Sequence, residues 1–219
     1  MSAQTAAKER ILDSIRAGNA NVNATDYAEI SRNYRKSAAL PREACITRMI
    51  ERLREYDAEV AECAPDRLAE TIATQLAASG RKRFVAPAGL LPEWMPAGFQ
   101  WLVDPGLTQD EVESADGVVT ACFCGVGESG TIVLHHGSEE GRRILTLLPD
   151  WHLCVLRESQ IIETLPEYFA RVAEPPQLAT YISGPSATAD IEMTRIKGVH
   201  GPRFLHVVLV RDDVKNVNK

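Results

Sequence analysis

Short apolar runs that alternate with helical segments constrain the fold of this chain more than any other feature. From residue 83 onward, seven runs have the length and residue types of β-strands, at 84–86, 100–103, 117–124, 130–135, 152–156, 179–183 and 204–210. Predicted helices at 108–114, 163–172 and roughly 186–197 separate some of them. Several strands are apolar almost throughout, as is typical of strands that are covered on both faces. The sequence therefore predicts an α/β fold with a mostly parallel sheet and helices on both faces.

A glycine-rich loop joins two predicted strands that are too close in sequence for a helical connection. The runs 117–124 and 130–135 are separated by Gly125-Val126-Gly127-Glu128-Ser129, which predicts a hairpin and hence a mixed sheet. The loop lacks the Gly-Lys-Ser/Thr of a phosphate-binding loop and the helix that follows a dinucleotide fingerprint. Two interpretations remain. The glycines serve a turn that needs positive φ, or they let backbone amides approach a ligand beside Glu128.

The first 80 residues have a helical pattern. Helices are predicted at 3–17, from Pro41 to about residue 62, and at 65–78, and the Asn-rich stretch 18–25 is typical of a linker. We expect residues 1–40 to form an N-terminal helix with its linker, and residues 41–219 to form one α/β domain. The N-terminal arm is interpreted as a packing layer, with contact to a partner as the alternative.

Charge and cysteine usage exclude several classes of protein. The net charge is −6 and no basic stripe is present, which argues against nucleic-acid binding. The five cysteines are odd in number and widely spread, so we expect reduced thiols and a cytoplasmic protein. Cys122 and Cys124 would share one face of a strand as buried packing residues, and no histidine has the spacing of a metal ligand. We therefore expect no metal site and, without an apolar run of about 20 residues, no membrane span.

Two loops in the last 40 residues carry polar groups that suit anion binding. In Ser183–Glu192, a strand end leads through Gly184 and Pro185 to the predicted helix, with Ser186 as its cap. A helix N-terminus binds anions, whereas Asp190 and Glu192 compete for the same positive potential, so a bound anion and a plain capped turn remain equal alternatives. The second loop, Gly198–Arg203, contains His200 and Arg203 and precedes its strand, which argues against a direct catalytic role. Arg203 could instead pair with Asp190 or Glu192.

Four sequence blocks, taken together and in this order, resemble the LUD-domain family. They are Gly127–Leu134, Leu148–His152, Ser183–Glu192, and Gly198–Arg203 with the adjoining Leu205–Leu209. The match extends over essentially the whole chain, with the blocks concentrated in residues 115–210. Ser129 stands where the family commonly has threonine, so the hydroxyl is kept.

The resemblance implies a fold related to the ribose-phosphate isomerase and CoA-transferase-like α/β sheets. It also implies an accessory role in the oxidation of L-lactate to pyruvate, beside two partner subunits that carry the iron–sulfur clusters. On this interpretation the chain itself binds no cofactor, and its ligand is a small carboxylate or another anion. The alternative is a stand-alone enzyme, or a ligand-binding module, for a phosphorylated or acyl small molecule. A regulatory module without turnover is a third hypothesis.

The candidate site residues come from these blocks. The candidate catalytic residues are Glu128, as nucleophile or base, and His200. The candidate ligand- or anion-binding residues are Gly127, Ser129, Gly130, Thr131, Gly184, Ser186, Thr188, Asp190 and Arg203. We expect them to line one shared site.

Overall fold

Helices and strands alternate along most of the chain. The computed structural model describes residues 3–20, 29–188, 196–197 and 201–211. Its α-helices are α1 (Ala3–Gly18), α2 (Arg42–Glu55), α3 (Leu68–Ala78), α4 (Gln109–Glu113) and α5 (Leu165–Arg171). Short 3-10 turns lie at Pro65–Arg67, Pro92–Trp94, Arg143–Thr146 and Glu158–Gln160. The chain divides into two units, Met1–Arg35, which contains α1, and Lys36–Lys219, which contains every described strand.

Six strands form one parallel sheet in the order β1-β12-β7-β4-β2-β3. They are β1 (Glu59–Cys63), β2 (Arg83–Ala86), β3 (Gln100–Val103), β4 (Gly117–Thr120), β7 (Trp151–Arg157) and β12 (Phe204–Val210). The central strands β4 and β7 are buried almost throughout, because both of their faces are covered. The α/β class and the mostly parallel sheet are therefore confirmed.

A second, four-stranded sheet has the order β8-β5-β6-β9. Its strands are β5 (Cys124–Val126), β6 (Thr131–Leu134), β8 (Ile161–Ile162) and β9 (Thr180–Ile182). The predicted hairpin is present, since β5 and β6 pair antiparallel with Cys124 opposite Val133. It belongs to this second sheet, however, and 117–124 is not one strand: its first half is β4 of the parallel sheet.

Helices cover both faces of the parallel sheet, as the sequence predicts. On one face, α2 packs Ile46, Met49 and Leu53 against alternate residues of β7 and β12. On the other face, α3 packs Leu68, Ile72 and Leu76 against the intervening residues of the same strands. The alternation follows from the two-residue period of a strand. None of the helices in the described ranges is long and apolar enough to cross a bilayer.

The helix predicted to run from Pro41 to about residue 62 is too long. The structure ends it at Glu55, and Asp57 adopts a left-handed conformation with φ 64°. Residues 59–63 then pair in parallel with β12, from Glu59 opposite His206 to Cys63 opposite Val210. Pairing with a neighbouring strand outweighs helical spacing here, because helical propensity is a weak preference that tertiary contacts override.

The helix predicted at 186–197 is wrong at both of its described ends. Ala187–Thr188 forms strand β10, which pairs antiparallel with β11 (Ile196–Lys197). Ser186 therefore caps no helix, and its backbone N–H donates instead to the carbonyl of Pro202 at 2.8 Å. That bond holds the segment extended alongside the chain that enters β12. Residues 189–195, which include Asp190 and Glu192, lie outside the described residues.

Candidate functional site

The glycine-rich hairpin tip packs closely against α2. A side chain on Gly127 would place its Cβ 2.8 Å from Cys45 Sγ and 2.9 Å from the Cys45 carbonyl oxygen. Gly130 has φ 67°, and its Cβ would lie 2.6 Å from Cβ of Arg52. The close approach of the hairpin to a helix thus explains both glycines, and at Gly130 the positive φ of a tight turn is a second reason.

Glu128 lies at the exposed tip of this hairpin. Its backbone N–H donates to the carbonyl of Glu163 at 2.9 Å, which ties the tip to the second sheet. The residue does not line the cleft described below. The structure therefore places the candidate catalytic carboxylate away from the cleft that the candidates Gly184 and Ser186 line.

A chain of hydroxyl groups connects the hairpin to β9. Ser129 Oγ lies 2.7 Å from Thr131 Oγ1, which lies 2.8 Å from Ser183 Oγ. Thr131 is buried, whereas Ser183 borders the cleft. Of these three residues, Ser183 lines the cleft. Ser129 and Thr131 are linked to the cleft through the hydroxyl of Ser183.

The cleft has a volume of about 210 Å³ and lies between the two sheets. It is lined by residues 180–186 from β9 onward, Arg143 and Thr146, His152 of β7, residues 201 and 202 before β12, and Leu205 within β12. The candidates Gly184 and Ser186 line it, so two of the predicted residues do meet there. In parallel sheets ligands usually bind at the carboxyl ends of the strands, whereas this cleft opens at the beginning of β7 and β12.

Arg143 supplies the positive charge of the cleft. Its Nη1 donates to the carbonyl of Thr146 at 2.9 Å and to Thr146 Oγ1 at 3.2 Å. Within the described ranges no carboxylate pairs with it. Burial lowers the pKa of Arg143, but an arginine side chain stays charged in proteins. The cleft therefore contains a cation whose guanidinium is not neutralised by the described part of the chain.

Sequence reasoning missed Arg143, and its neighbour shows why. Arg142 donates to both carboxylate oxygens of Asp104, at 2.9 and 2.6 Å. The two adjacent arginines are indistinguishable in the sequence, yet one is in an ion pair and the other borders the cleft. The tertiary structure alone separates them.

His152 forms the floor of the cleft with Thr120 behind it. The imidazole is only 1% exposed, and its Nε2 lies 2.8 Å from Thr120 Oγ1. Burial, with the nearby charge of Arg143, lowers the pKa of His152 from 6.5 to about 3. The ring is therefore neutral at physiological pH. His152 belongs to one of the four sequence blocks, and that membership was the signal that could have identified it.

The remaining candidates lie apart from the cleft or outside the described residues. Arg203 makes two hydrogen bonds to the carboxylate of Asp150, from Nε at 2.6 Å and from Nη2 at 2.9 Å. Asp150 is therefore its partner in the described part of the chain. Thr188 belongs to β10, so the helix amides that would have held an anion beside it are not formed there. Asp190 and His200 lie outside the described residues.

The cysteine pair is structural in its surroundings. Cys124 begins β5, whereas Cys122 precedes that strand and packs with Cys154 in a different apolar cluster. The prediction that both share one face of a strand is therefore wrong, although both are buried as packing residues. Burial raises the pKa of the Cys124 thiol to about 12, which suppresses thiolate formation. Across the described ranges, no group of three or more His, Cys, Asp or Glu side chains could hold a metal ion.

Comparison with known proteins places this geometry in a family. The LUD domain model matches residues 2–210. Lactate utilization protein C of Deinococcus radiodurans is 39% identical over 181 residues, which cover 81% of this chain and 84% of that protein. Lactate utilization protein C of Bacillus subtilis is 31% identical over 134 residues, 56% of this chain and 55% of that protein.

A solved structure agrees with the sequence comparison. The crystal structure of a DUF162 family protein from Deinococcus radiodurans superposes with a TM-score of 0.68 at 34% sequence identity. The match covers 78% of this chain and 99% of the other. The four blocks, the fold and these matches have one explanation: the chain belongs to the LUD domain family.

Proposed function

We propose that this protein takes part in lactate utilization and that its cleft binds a small carboxylate, L-lactate or pyruvate. The relatives named lactate utilization protein C support the role. The class of ligand is inferred from Arg143, a half-buried cation that borders the cleft and has no carboxylate partner in the described part of the chain. A bound carboxylate would supply that partner, because the guanidinium fork matches both oxygens of the group.

The size of the cleft favours a short acid over the alternative ligands. Its volume is about 210 Å³, whereas pockets for drug-sized ligands span about 300–1,000 Å³. A three-carbon acid fits such a space, while a CoA thioester exceeds it several-fold. Thr146 and Ser183 also line the cleft, and their hydroxyls suit a carboxylate or a hydroxy group.

The chemistry of lactate oxidation requires an electron acceptor. Conversion of L-lactate to pyruvate breaks the C2–H and O–H bonds and releases two electrons and two protons. We propose that iron–sulfur partner subunits receive the electrons and that this chain contributes to binding the acid in the assembled complex. On this proposal the isolated chain does not turn over L-lactate with an artificial acceptor.

Ligand-induced thermal stabilisation of the purified chain tests the proposal. We expect L-lactate and pyruvate to raise Tm, and glucose 6-phosphate and CoA to leave it unchanged. At 100 times Kd a ligand adds about 2.7 kcal/mol, which corresponds to roughly 5–10 °C for a chain of this size. Arg143→Met should abolish the shift. Arg171→Met, which removes the same charge from an exposed residue outside the cleft, should keep it.

The opposite pattern would reject this assignment. A shift with the sugar phosphate or CoA, and none with the three-carbon acids, would favour the stand-alone enzyme. A lactate shift that survives Arg143→Met would place the carboxylate elsewhere.

A further inference from the structure

We infer that His152 recognises the oxygen on carbon 2 of the bound acid, so that the cleft selects 2-hydroxy and 2-oxo acids among short carboxylates. This inference rests on the proposed function, because it takes the carboxylate to be held by Arg143. The His152–Thr120 pair on the floor of the cleft carries it.

The pair is held rigidly by the parallel sheet. Val118 of β4 lies opposite His152 of β7, so Thr120, two residues further along β4, projects from the same face as His152. Thr120 is fully buried and its hydroxyl meets His152 Nε2 at 2.8 Å. Nδ1, the other ring nitrogen, makes no hydrogen bond to any described residue, although His152 lines the cleft. The ring therefore offers a ligand one fixed polar atom.

Two groups of different kinds thus border one small space. Arg143 presents positive charge, and His152 lines the same cleft. An acid whose carboxylate meets Arg143 and whose second oxygen lies on the adjacent carbon can contact both within about 210 Å³. Propionate, which has the same carbon skeleton and carboxylate without that oxygen, can contact only Arg143.

The neutral imidazole suits both oxidation states of the ligand. A neutral ring has one donor nitrogen and one acceptor nitrogen, and a threonine hydroxyl rotates to donate or to accept. With L-lactate, the substrate hydroxyl donates to Nδ1 while Nε2–H donates to Thr120 Oγ1. With pyruvate, the 2-oxo group accepts from Nδ1–H while the Thr120 hydroxyl donates to Nε2. One dyad can thus bind both the hydroxy acid and the oxo acid by exchanging tautomers.

A purely structural role for His152 is the competing explanation, since its bond to Thr120 joins two central strands. Two substitutions separate the roles. His152→Gln keeps a nitrogen near the Nε2 position, and thus the contact with Thr120, but removes Nδ1. His152→Asn keeps a polar group near Nδ1 and removes the contact with Thr120.

Isothermal titration with L-lactate, pyruvate and propionate gives the readout. In the unsubstituted protein we expect L-lactate and pyruvate to bind at least about tenfold more tightly than propionate, the effect of one well-placed hydrogen bond of about 1.4 kcal/mol. In His152→Gln the three affinities should converge to within about twofold, with the propionate Kd unchanged. His152→Asn should keep part of the discrimination.

Other outcomes overturn the inference in distinguishable ways. Equal binding of the three acids to the unsubstituted protein, lost in Arg143→Met, would reject the role of His152 and leave the carboxylate site standing. Loss of all binding in His152→Gln, including propionate, would show a structural role. Absence of binding by every acid would reject the proposed function and this inference with it.

Nitrogen NMR of the imidazole needs no substitution and so does not depend on the folding of a variant. With ¹⁵N-labelled histidine, we expect the His152 Nδ1 resonance to move on addition of L-lactate or pyruvate and to stay in place with propionate. The same movement with all three acids, or none with any, would overturn the inference.

Discussion

The buried imidazole of His152 should make the protein less stable in mild acid, because burial lowers its pKa. Its pKa falls from 6.5 to about 3 on folding, mainly because of burial. Below pH 6.5 this histidine is protonated in the unfolded chain but stays neutral in the folded chain. The free energy of unfolding therefore falls as the pH decreases from 6.5 toward 3. At about 1.4 kcal/mol per pH unit, the loss attributable to this residue reaches about 2 kcal/mol at pH 5.0.

His152→Gln is the perturbation that isolates this contribution, because glutamine does not titrate and can still contact Thr120. Equilibrium urea denaturation of both proteins at pH 7.5 and pH 5.0 gives four unfolding free energies. We expect the unsubstituted protein to lose about 2 kcal/mol more than the variant over this interval. The lowered pKa values of His135 and His206 add acid sensitivity to both proteins and cancel in the comparison.

The chosen pH keeps the carboxylates out of the measurement. Asp104 and Asp116 have lowered pKa values, so their stabilising effect is present above their unfolded pKa and is lost only as the pH falls below about 4. Equal losses in the two proteins between pH 7.5 and 5.0 would contradict this prediction, since His152 would then be as easily protonated in the folded state as in the unfolded one.

Three further predictions concern the hairpin, a buried ion pair and the proposed partners. Gly130→Ala should destabilise the fold by about 1–3 kcal/mol, because φ is 67° and the new Cβ would lie 2.6 Å from Arg52 Cβ. Gly137→Ala is the control, since its new Cβ would meet nothing within 4 Å, and equal Tm values for the two variants would contradict the prediction. Arg142→Met leaves the buried Asp104 carboxylate without its cation, so the free energy of unfolding at pH 7 should fall by about 1–3 kcal/mol in chemical denaturation. An unchanged midpoint would show that this ion pair does not stabilise the fold. Affinity purification from lactate-grown cells should recover iron–sulfur proteins, and their absence under conditions that preserve complexes would argue against the proposed partners.

Strand prediction succeeded where burial leaves a strong pattern in the sequence. The runs that became β4 and β7 are apolar because both faces of these strands are covered, and such runs have few alternative conformations in a soluble domain. The strand at 59–63 has exposed and half-buried residues in its burial pattern, so its periodicity resembled the end of a helix. Its conformation depends on β12, which lies about 145 residues away in the chain.

The candidate site was predicted only in part for a similar reason. Gly184 and Ser186 were found because a glycine and a hydroxyl beside a strand end are visible in the sequence, and both line the cleft. The helix expected after them was wrong, since the partner of β10 is β11 and the bond from Ser186 runs to Pro202. The glycines on either side of Glu128 are explained by their packing against α2, and the role of Glu128 stays a prediction.

The fold class, the family and the segments that build the site were predictable from the sequence. These follow from local patterns: apolar runs, turn residues and four ordered blocks. Which arginine lines the cleft depends on the tertiary fold, in which Arg142 pairs with Asp104 and Arg143 lines the cleft with His152. The physical reason is that charge pairing and burial depend on distances between residues far apart in the chain, and the sequence does not encode those distances locally.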